Sequence, residues 1–247
     1  MRYFLEISFK GTNYHGWQEQ PNAITVQSVI EKALTLILRY PTKIMGAGRT
    51  DAGVHAKQMF AHFDSEKVID ENVITQKLNA FLPKDIAIRK IVKVHDDAHA
   101  RFDALARSYE YHISLQKDPF ATETAWFMHK KLDVIMMNKA AKALLFYDDF
   151  QSFSKTHTDV KTFICRVDNA EWIRAGETLV FYITADRFLR NMVRAIVGTL
   201  IDIGLHKKSL DDFVKIIEAK NRQKAGFSVP AQGLYLTEIV YPKEIFI

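Results

Sequence analysis

One cysteine, Cys165, stands in a chain of 247 residues. That excludes an internal disulfide and any metal cage built from several thiolates, fits a reducing compartment, and leaves core filling as the expected role of Cys165. No apolar run approaches the roughly 18 residues that a membrane-spanning helix needs. The opening at Met1 and Arg2 turns straight into an alternating segment. The expected location is therefore the cytoplasm, with no leader and no membrane partner. Long proline, glycine or single-residue tracts are missing too. With 48% hydrophobic and 26% charged residues, the composition is that of an ordinary folded protein. His95 and His99 have the spacing of a helical metal pair, but they sit beside Asp96 and Asp97 after a strand, with no sulfur or further histidine near. No metal is expected.

Charge of one sign is not concentrated anywhere. The net charge of +5 and the pI near 9.1 are compatible with a nucleic-acid partner. The excess is shared between the two halves of the chain, so a surface for RNA has to arise by folding scattered cations onto one face. Arg39, Lys43, Lys57, Arg101, Arg107, Arg187 and Arg190 are candidates for phosphate contacts, each more simply read alone as a solvated side chain.

What is present is a regular alternation of periods. Residues 2–9 alternate as a strand, and a glycine-containing loop runs from Gly11 to Ala23. Thr25 caps a helix carrying Val26, Val29, Ile30, Ala33, Leu34, Ile37 and Leu38, which Pro41 ends. A strand over 57–64, a helix capped by Asp70, and a β-branched strand over 86–94 complete the first half. The second half predicts a strand over 107–114, a helix over 134–146, and strands over 165–174 and 178–185 turning at Gly176 and Glu177. It continues with a long helix over 188–203 stopped by Gly204, another helix capped by Ser209, and a last strand over 234–240. The predicted fold class is α+β. It consists of two similar α/β halves, each a mostly antiparallel sheet with helices on one face, with an active-site cleft between them. The expected domains are 1–104, carrying the catalytic loop, and 105–247, completing an RNA-binding cleft. No short repeat marks the duplication.

The densest functional signal is the loop Gly46, Ala47, Gly48, Arg49, Thr50, Asp51, Ala52, Gly53, Val54, His55, Ala56. Glycines at this density permit unusual backbone angles and close approach of a ligand. The plain alternative is a tight turn in which Asp51 bonds its own backbone. A nucleotide-phosphate loop is excluded, because the Gly-Lys-Ser/Thr ending is missing.

The run from Gly48 to Ala56 resembles the signature of the tRNA pseudouridine synthase A family, and the rest of the chain agrees. Gly16, Trp17 and Gln18, then Thr25, Val26 and Gln27 with Glu31 to Leu34, are similar to the family's opening motif. Asn79, Leu82, Pro83, Asp85 and Ile86 follow, then Ala100, Arg101 and Phe102, and Ala106 to Tyr111. Further on come Asp149 to Phe153, Phe188 to Arg194 with Ile196 to Gly198, and Pro230 to Leu234. The resemblance spans essentially the whole chain. It implies the pseudouridine synthase fold and isomerisation of uridine in the tRNA anticodon stem-loop, at positions 38, 39 and 40, by a homodimer without a cofactor. In that chemistry Asp51 is the nucleophile, in a pocket that retains the freed base. Tyr109 contacts the flipped uracil, by stacking or by handling the departing proton. Arg49 is a countercharge to the carboxylate or a phosphate contact, Arg194 a second partner for the carboxylate, and Leu234 a residue packing near it. Tyr111, two residues beyond Tyr109, is assigned to the core.

Between Phe153 and Trp172 the match is loose, over Ser154 to Arg166, which bears on the choice of tRNA region rather than on the reaction. Two other readings stay open on the residues alone. One is an RNA-binding module without chemistry, which would bind tRNA and leave it unmodified. The other is a nucleosidase, which would need a second carboxylate about 5 to 9 Å from Asp51, and Asp64 and Glu66 are poorly placed for it.

Overall fold

The computed structural model describes residues 1–156 and 160–247, so the expectation attached to Ser154–Arg166 falls partly outside the described residues. In chain order the strands and α-helices are β1 (Arg2–Phe9), α1 (Val26–Leu38), β2 (Met45–Gly46), β3 (His55–Asp64), α2 (Glu71–Phe81), β4 (Ile86–Val94), β5 (Ala106–Ser114), β6 (Trp126–Phe127), α3 (Val134–Ala143), β7 (Val167–Ala175), β8 (Thr178–Ala185), α4 (Met192–Gly204), α5 (Leu210–Glu218) and β9 (Leu234–Val240). They gather into two compact units, Met1–Leu105 with Tyr235–Ile247, and Ala106–Leu234. The last strand, grouped with 105–247 on sequence, pairs in parallel with β3 through His55↔Tyr235 and Ala56↔Leu236. Only a ladder between distant segments places it there.

In the first unit β1 is central and antiparallel to both β3 and β4. Its alternation suggests a strand buried on one face, yet Phe4 is as inaccessible as Tyr3, Leu5 and Ile7. The cause is a ring cluster on the second face, where Phe4 lies 5.3 Å from Tyr241, 6.2 Å from Phe60 and 6.3 Å from Phe246, centroid to centroid. Helix α1 starts where expected. The Thr25 hydroxyl accepts from Ser28 N, and Ser28 Oγ accepts from Thr25 N, a reciprocal capping box. It ends at Arg39 in the left-handed region, φ 64°, just before Pro41.

The second unit orders β5, β8 and β7 antiparallel, with β5 and β8 in unbroken register from Arg107↔Ala185 to Ser114↔Thr178. Helix α4 begins at Met192, four residues later than its periodicity suggests. Asn191 is the reason: its φ of 67° breaks the helix, and its amide donates to Ser228 Oγ at 2.6 Å. Cys165 is fully buried, and burial pushes its thiol up to about 12, as an inert core residue requires. Among the described residues no helix is long and apolar enough to cross a membrane.

The two units share a plan. The first runs β3–α2–β4 and the second β5–α3–β7, each ending on its outermost strand, while the central strands β1 and β8 are followed by α1 and α4. In the first unit the central strand comes first in the chain, and in the second it comes last. Each outer strand is closed by an asparagine. Asn79 on α2 donates to Ile88 O and accepts from Ile88 N, both at 2.8 Å. Asn138 on α3 donates to Trp172 O at 2.9 Å and accepts from Trp172 N at 2.7 Å. One carboxamide thus supplies both bonds that a further strand would supply at that residue, and blunts the edge.

His62 on β3 accepts the Ala100 N–H at its Nδ1, 3.2 Å away. Burial, helped by the charges of Arg2 and His99, lowers its pKa to about 4 from the ordinary 6.5. The unfolded chain therefore takes up this proton at higher pH than the folded one. Stability from this ring is complete above about pH 6.5 and declines as the pH falls toward 4. Thermal unfolding followed between these limits is expected to show a falling Tm, with a visibly weaker decline in His62→Gln. An equal decline in both proteins would assign the effect to other groups.

Candidate active site

Backbone contacts fix the Asp51 loop at both of its ends. β2 pairs with β3 at Met45↔His62 and Gly46↔Ala61, and Ala47 N then bonds Phe60 O at 2.8 Å. Beyond this the chain leaves the sheet and packs on the segment from Gly11 to Trp17. Trp17 N donates to Thr50 O at 3.2 Å, and Gly11 N donates to His55 Nδ1 at 3.0 Å. Asp51 O accepts from Val54 N at 3.2 Å across a turn in which Gly53 has φ 78°. The approach is too close for side chains. A Cβ on Gly11 would lie inside van der Waals contact with Val54 O, and one on Gly16 would do the same with Thr50 O. Gly16 also needs its φ of 88°. One on Gly46 would strike the indole of Trp17.

Three residues whose roles do not show in the sequence, His55, Gln27 and Glu31, brace this arrangement. His55 is 1% exposed and stacks on Tyr235 at 4.7 Å. Because its Nδ1 accepts a backbone N–H, the neutral ring carries its proton on Nε2. Gln27 and Glu31 occupy one buried face of α1, four residues apart, where the helical pattern calls for apolar side chains. Gln27 Oε1 accepts from Gln18 Nε2 and Glu19 N, each at 2.9 Å, while its Nε2 donates to Ile44 O at 3.0 Å. Glu31 accepts from Ile44 N at 3.0 Å and pairs with Lys43 at 2.8 Å. These two side chains tie the loop before α1 to the strand that leads into the Asp51 loop. Polar residues on the buried side of an amphipathic helix were the available signal.

Asp51 and Arg49 lie in this one loop, Asp51 half-buried and Arg49 exposed. Between them, Thr50 Oγ1 is a buried hydroxyl with no hydrogen-bond partner. The other predicted site residues belong to the second unit. Tyr109, on β5, is half-buried and meets Phe188 edge to face at 5.0 Å. Arg194, on α4, is fastened to the segment before β9: its Nε donates to Val229 O at 2.7 Å and its own carbonyl accepts from Val229 N at 3.3 Å. The Tyr111 hydroxyl donates to Pro230 O at 2.9 Å, and burial raises its pKa strongly, opposed by the Arg194 charge. Tyr111 is a core residue, as expected. Leu234 is 6% exposed at the start of β9. Of the scattered cations, Lys43 is held between Glu19 and Glu31 at 2.9 and 2.8 Å, which weakens its candidacy as a phosphate contact. Arg107 donates to Asp186 O at 2.7 Å. His95 and His99 stand in a turn, and His99 Nδ1 is taken by the N–H groups of Arg101 and Phe102.

Three substitutions test the brace. Gly11→Ala overpacks a backbone contact and is expected to cost about 1–3 kcal/mol. His55→Leu strands the buried Gly11 N–H at a similar cost of about 1–3 kcal/mol, and His55→Asn, which keeps an acceptor, is expected to lose less. Denaturant unfolding of the three proteins measures this, and unchanged midpoints for Gly11→Ala and His55→Leu would refute it.

A family model described as tRNA pseudouridine synthase matches residues 7–103 and 140–242. The chain is 55% identical over 247 residues to a tRNA pseudouridine synthase A of Bacteroides fragilis, covering 99% of this chain and 98% of that protein. It is 53% identical over 246 residues to one from Parabacteroides distasonis, with 99% and 98% covered. A third, from Porphyromonas gingivalis, is 50% identical over 250 residues, with 100% and 99% covered. With a loop built around Asp51 and similarity from end to end at this level, the chain belongs to the tRNA pseudouridine synthase A family.

Proposed function

We propose that this protein isomerises uridine to pseudouridine in the anticodon stem-loop of tRNA, at positions 38, 39 and 40, with Asp51 as the catalytic nucleophile. The observation that carries this reading is the braced loop. A carboxylate is presented on backbone that three glycines bring against a second segment, which is the preorganisation a reacting group needs. Family membership supports the substrate and the reaction type.

The reaction moves one bond and conserves every atom. The bond from the base nitrogen to the ribose breaks, the uracil turns within its pocket, a carbon of the ring bonds the same ribose carbon, and the proton on that ring carbon leaves for the freed nitrogen. Asp51 lends an electron pair to the reacting centre as the nitrogen leaves with the glycosidic pair, and takes its pair back when the ring carbon's electrons form the new bond to the ribose. Tyr109 contacts the extruded uracil, by its ring face or by carrying the proton. Arg49 and Arg194 supply positive charge to the carboxylate or to phosphate, and Leu234 packs beside the reacting groups. No cofactor enters this chemistry. We assign the working form to a cytoplasmic homodimer, in keeping with the family resemblance.

Unmodified tRNA transcripts incubated with the protein and mapped chemically for pseudouridine test all of this together. New pseudouridine is expected in the anticodon stem-loop, and Asp51→Asn is expected to lose more than about a thousandfold in turnover while still binding tRNA. Full turnover by Asp51→Asn would remove Asp51 from its role. Tight binding by the unsubstituted protein without any modified base would leave an RNA-binding module instead.

A further inference from the structure

The turn that follows β4 is fixed far more firmly than a surface turn needs to be. Ala98 O accepts from Arg2 Nη1 at 2.9 Å, and Arg2 is itself locked by two bonds of 2.8 Å to Asp64. His99 N donates to Asp103 Oδ2 at 2.7 Å, and Asp103 N returns a bond to His99 O at 3.1 Å. Ala100 is held on both sides, its N–H on His62 Nδ1 at 3.2 Å and its carbonyl by the hydroxyl of Tyr241. His99 Nδ1 accepts from Arg101 N at 3.1 Å and from Phe102 N at 3.4 Å. Ala98 and Ala100 are buried, so this scaffold points only two long side chains outward at its crest, Arg101 and Phe102.

Phe102 is 72% exposed. A lone exposed aromatic is unremarkable, but this one is mounted. The His99 ring lies 4.3 Å from it at 37°, and the His62 ring supports His99 in turn at 4.7 Å. The guanidinium carbon of Arg101 lies 5.5 Å from the Phe102 centroid. An aromatic face and a cation held together on a rigid turn match an unstacked nucleotide, which offers a planar base and a phosphate at a similar separation. Phe102 has no part in the Asp51 chemistry.

We propose that Phe102 and Arg101 form a preorganised nucleotide contact of the tRNA, in which an unstacked base lies on the Phe102 ring and a neighbouring phosphate meets Arg101. This rests on tRNA being the substrate, and it adds a site for which the Asp51 chemistry has no need. The contact acts on affinity, through base stacking that tolerates any sequence and a charge term that salt weakens.

The test is the Kd for an unmodified tRNA transcript, by fluorescence anisotropy at several salt concentrations, with melting temperatures recorded for each variant. Phe102→Ala and Phe102→Leu are expected to weaken binding about tenfold, with Phe102→Trp restoring it, because leucine keeps bulk and apolarity but has no ring face. Arg101→Gln is expected to weaken binding and to lower the salt dependence by about one phosphate contact. Both substituted side chains project from the surface, so melting temperatures close to that of the unsubstituted protein are expected for all four variants. Unchanged affinity in Phe102→Ala, or wild-type affinity in Phe102→Leu, would overturn the stacking contact while leaving the tRNA reading intact. A Phe102→Ala protein whose sedimentation mass falls while its affinity for tRNA holds would assign the ring to a second copy of the chain and overturn the proposal. Absence of tRNA binding by the unsubstituted protein would remove the functional reading and this inference with it.

Discussion

Everything specific about the candidate site depends on how closely two stretches of main chain approach each other, Gly11 to Trp17 and Ala47 to His55. Their contact is backbone on backbone, and it exists because Gly11 and Gly16 carry no Cβ where the other segment's carbonyl oxygens sit. The same approach seats Trp17 against Gly46 and brings Trp17 N to Thr50 O. Helix α1 starts at the far end of this contact, with Val26 N on Gly16 O and Gln27 N on Trp17 O. A shift in the helix would therefore move the loop. The Gln27 and Glu31 bonds to Ile44 close the circuit, so Asp51 is positioned by a ring of contacts that begins and ends on one helix.

A second theme is the use of side-chain groups as substitute backbone. Asn79 and Asn138 complete the outer strands of the two units with one carboxamide each. His55, His62 and His99 each offer a ring nitrogen to a main-chain N–H that no strand or helix satisfies. A buried N–H without a partner is costly, and a neutral imidazole meets the need while also stacking on a neighbouring ring. The arrangement ties irregular segments to regular ones. It also makes part of the fold depend on histidines staying neutral, which links the rigidity of the turn at Ala98 to Asp103 to pH through His62.

Much of the fold was legible because local chemistry and tertiary packing agree. Thr25, Asp70 and Ser209 all cap the helices they were expected to cap, since a hydroxyl or carboxylate before a periodic run has little else to do. The strand over 86–94 has the observed bounds, and Tyr111 lies in the core. Departures occur where a distant partner decides. Asn191 delays α4 through its bond to Ser228, and the first face of β1 is joined by a second buried face because Tyr241 and Phe246 arrive from the end of the chain. The roles of His55, Gln27 and Glu31 were invisible for the same reason: each reaches a backbone group outside its own element.

The sequence by itself determined the periods of the elements, their caps, the glycine-rich Asp51 loop and the family, because these are properties of neighbouring residues or of their order. Tertiary structure alone decided that the last strand lies against β3, that neutral histidines and buried amides hold the irregular segments, and that Phe102 stands outward on a fixed turn. Hydrogen-bond partners and burial are set by segments far apart in the chain, and residue order carries no direct record of which N–H will lack a neighbour until the fold has formed.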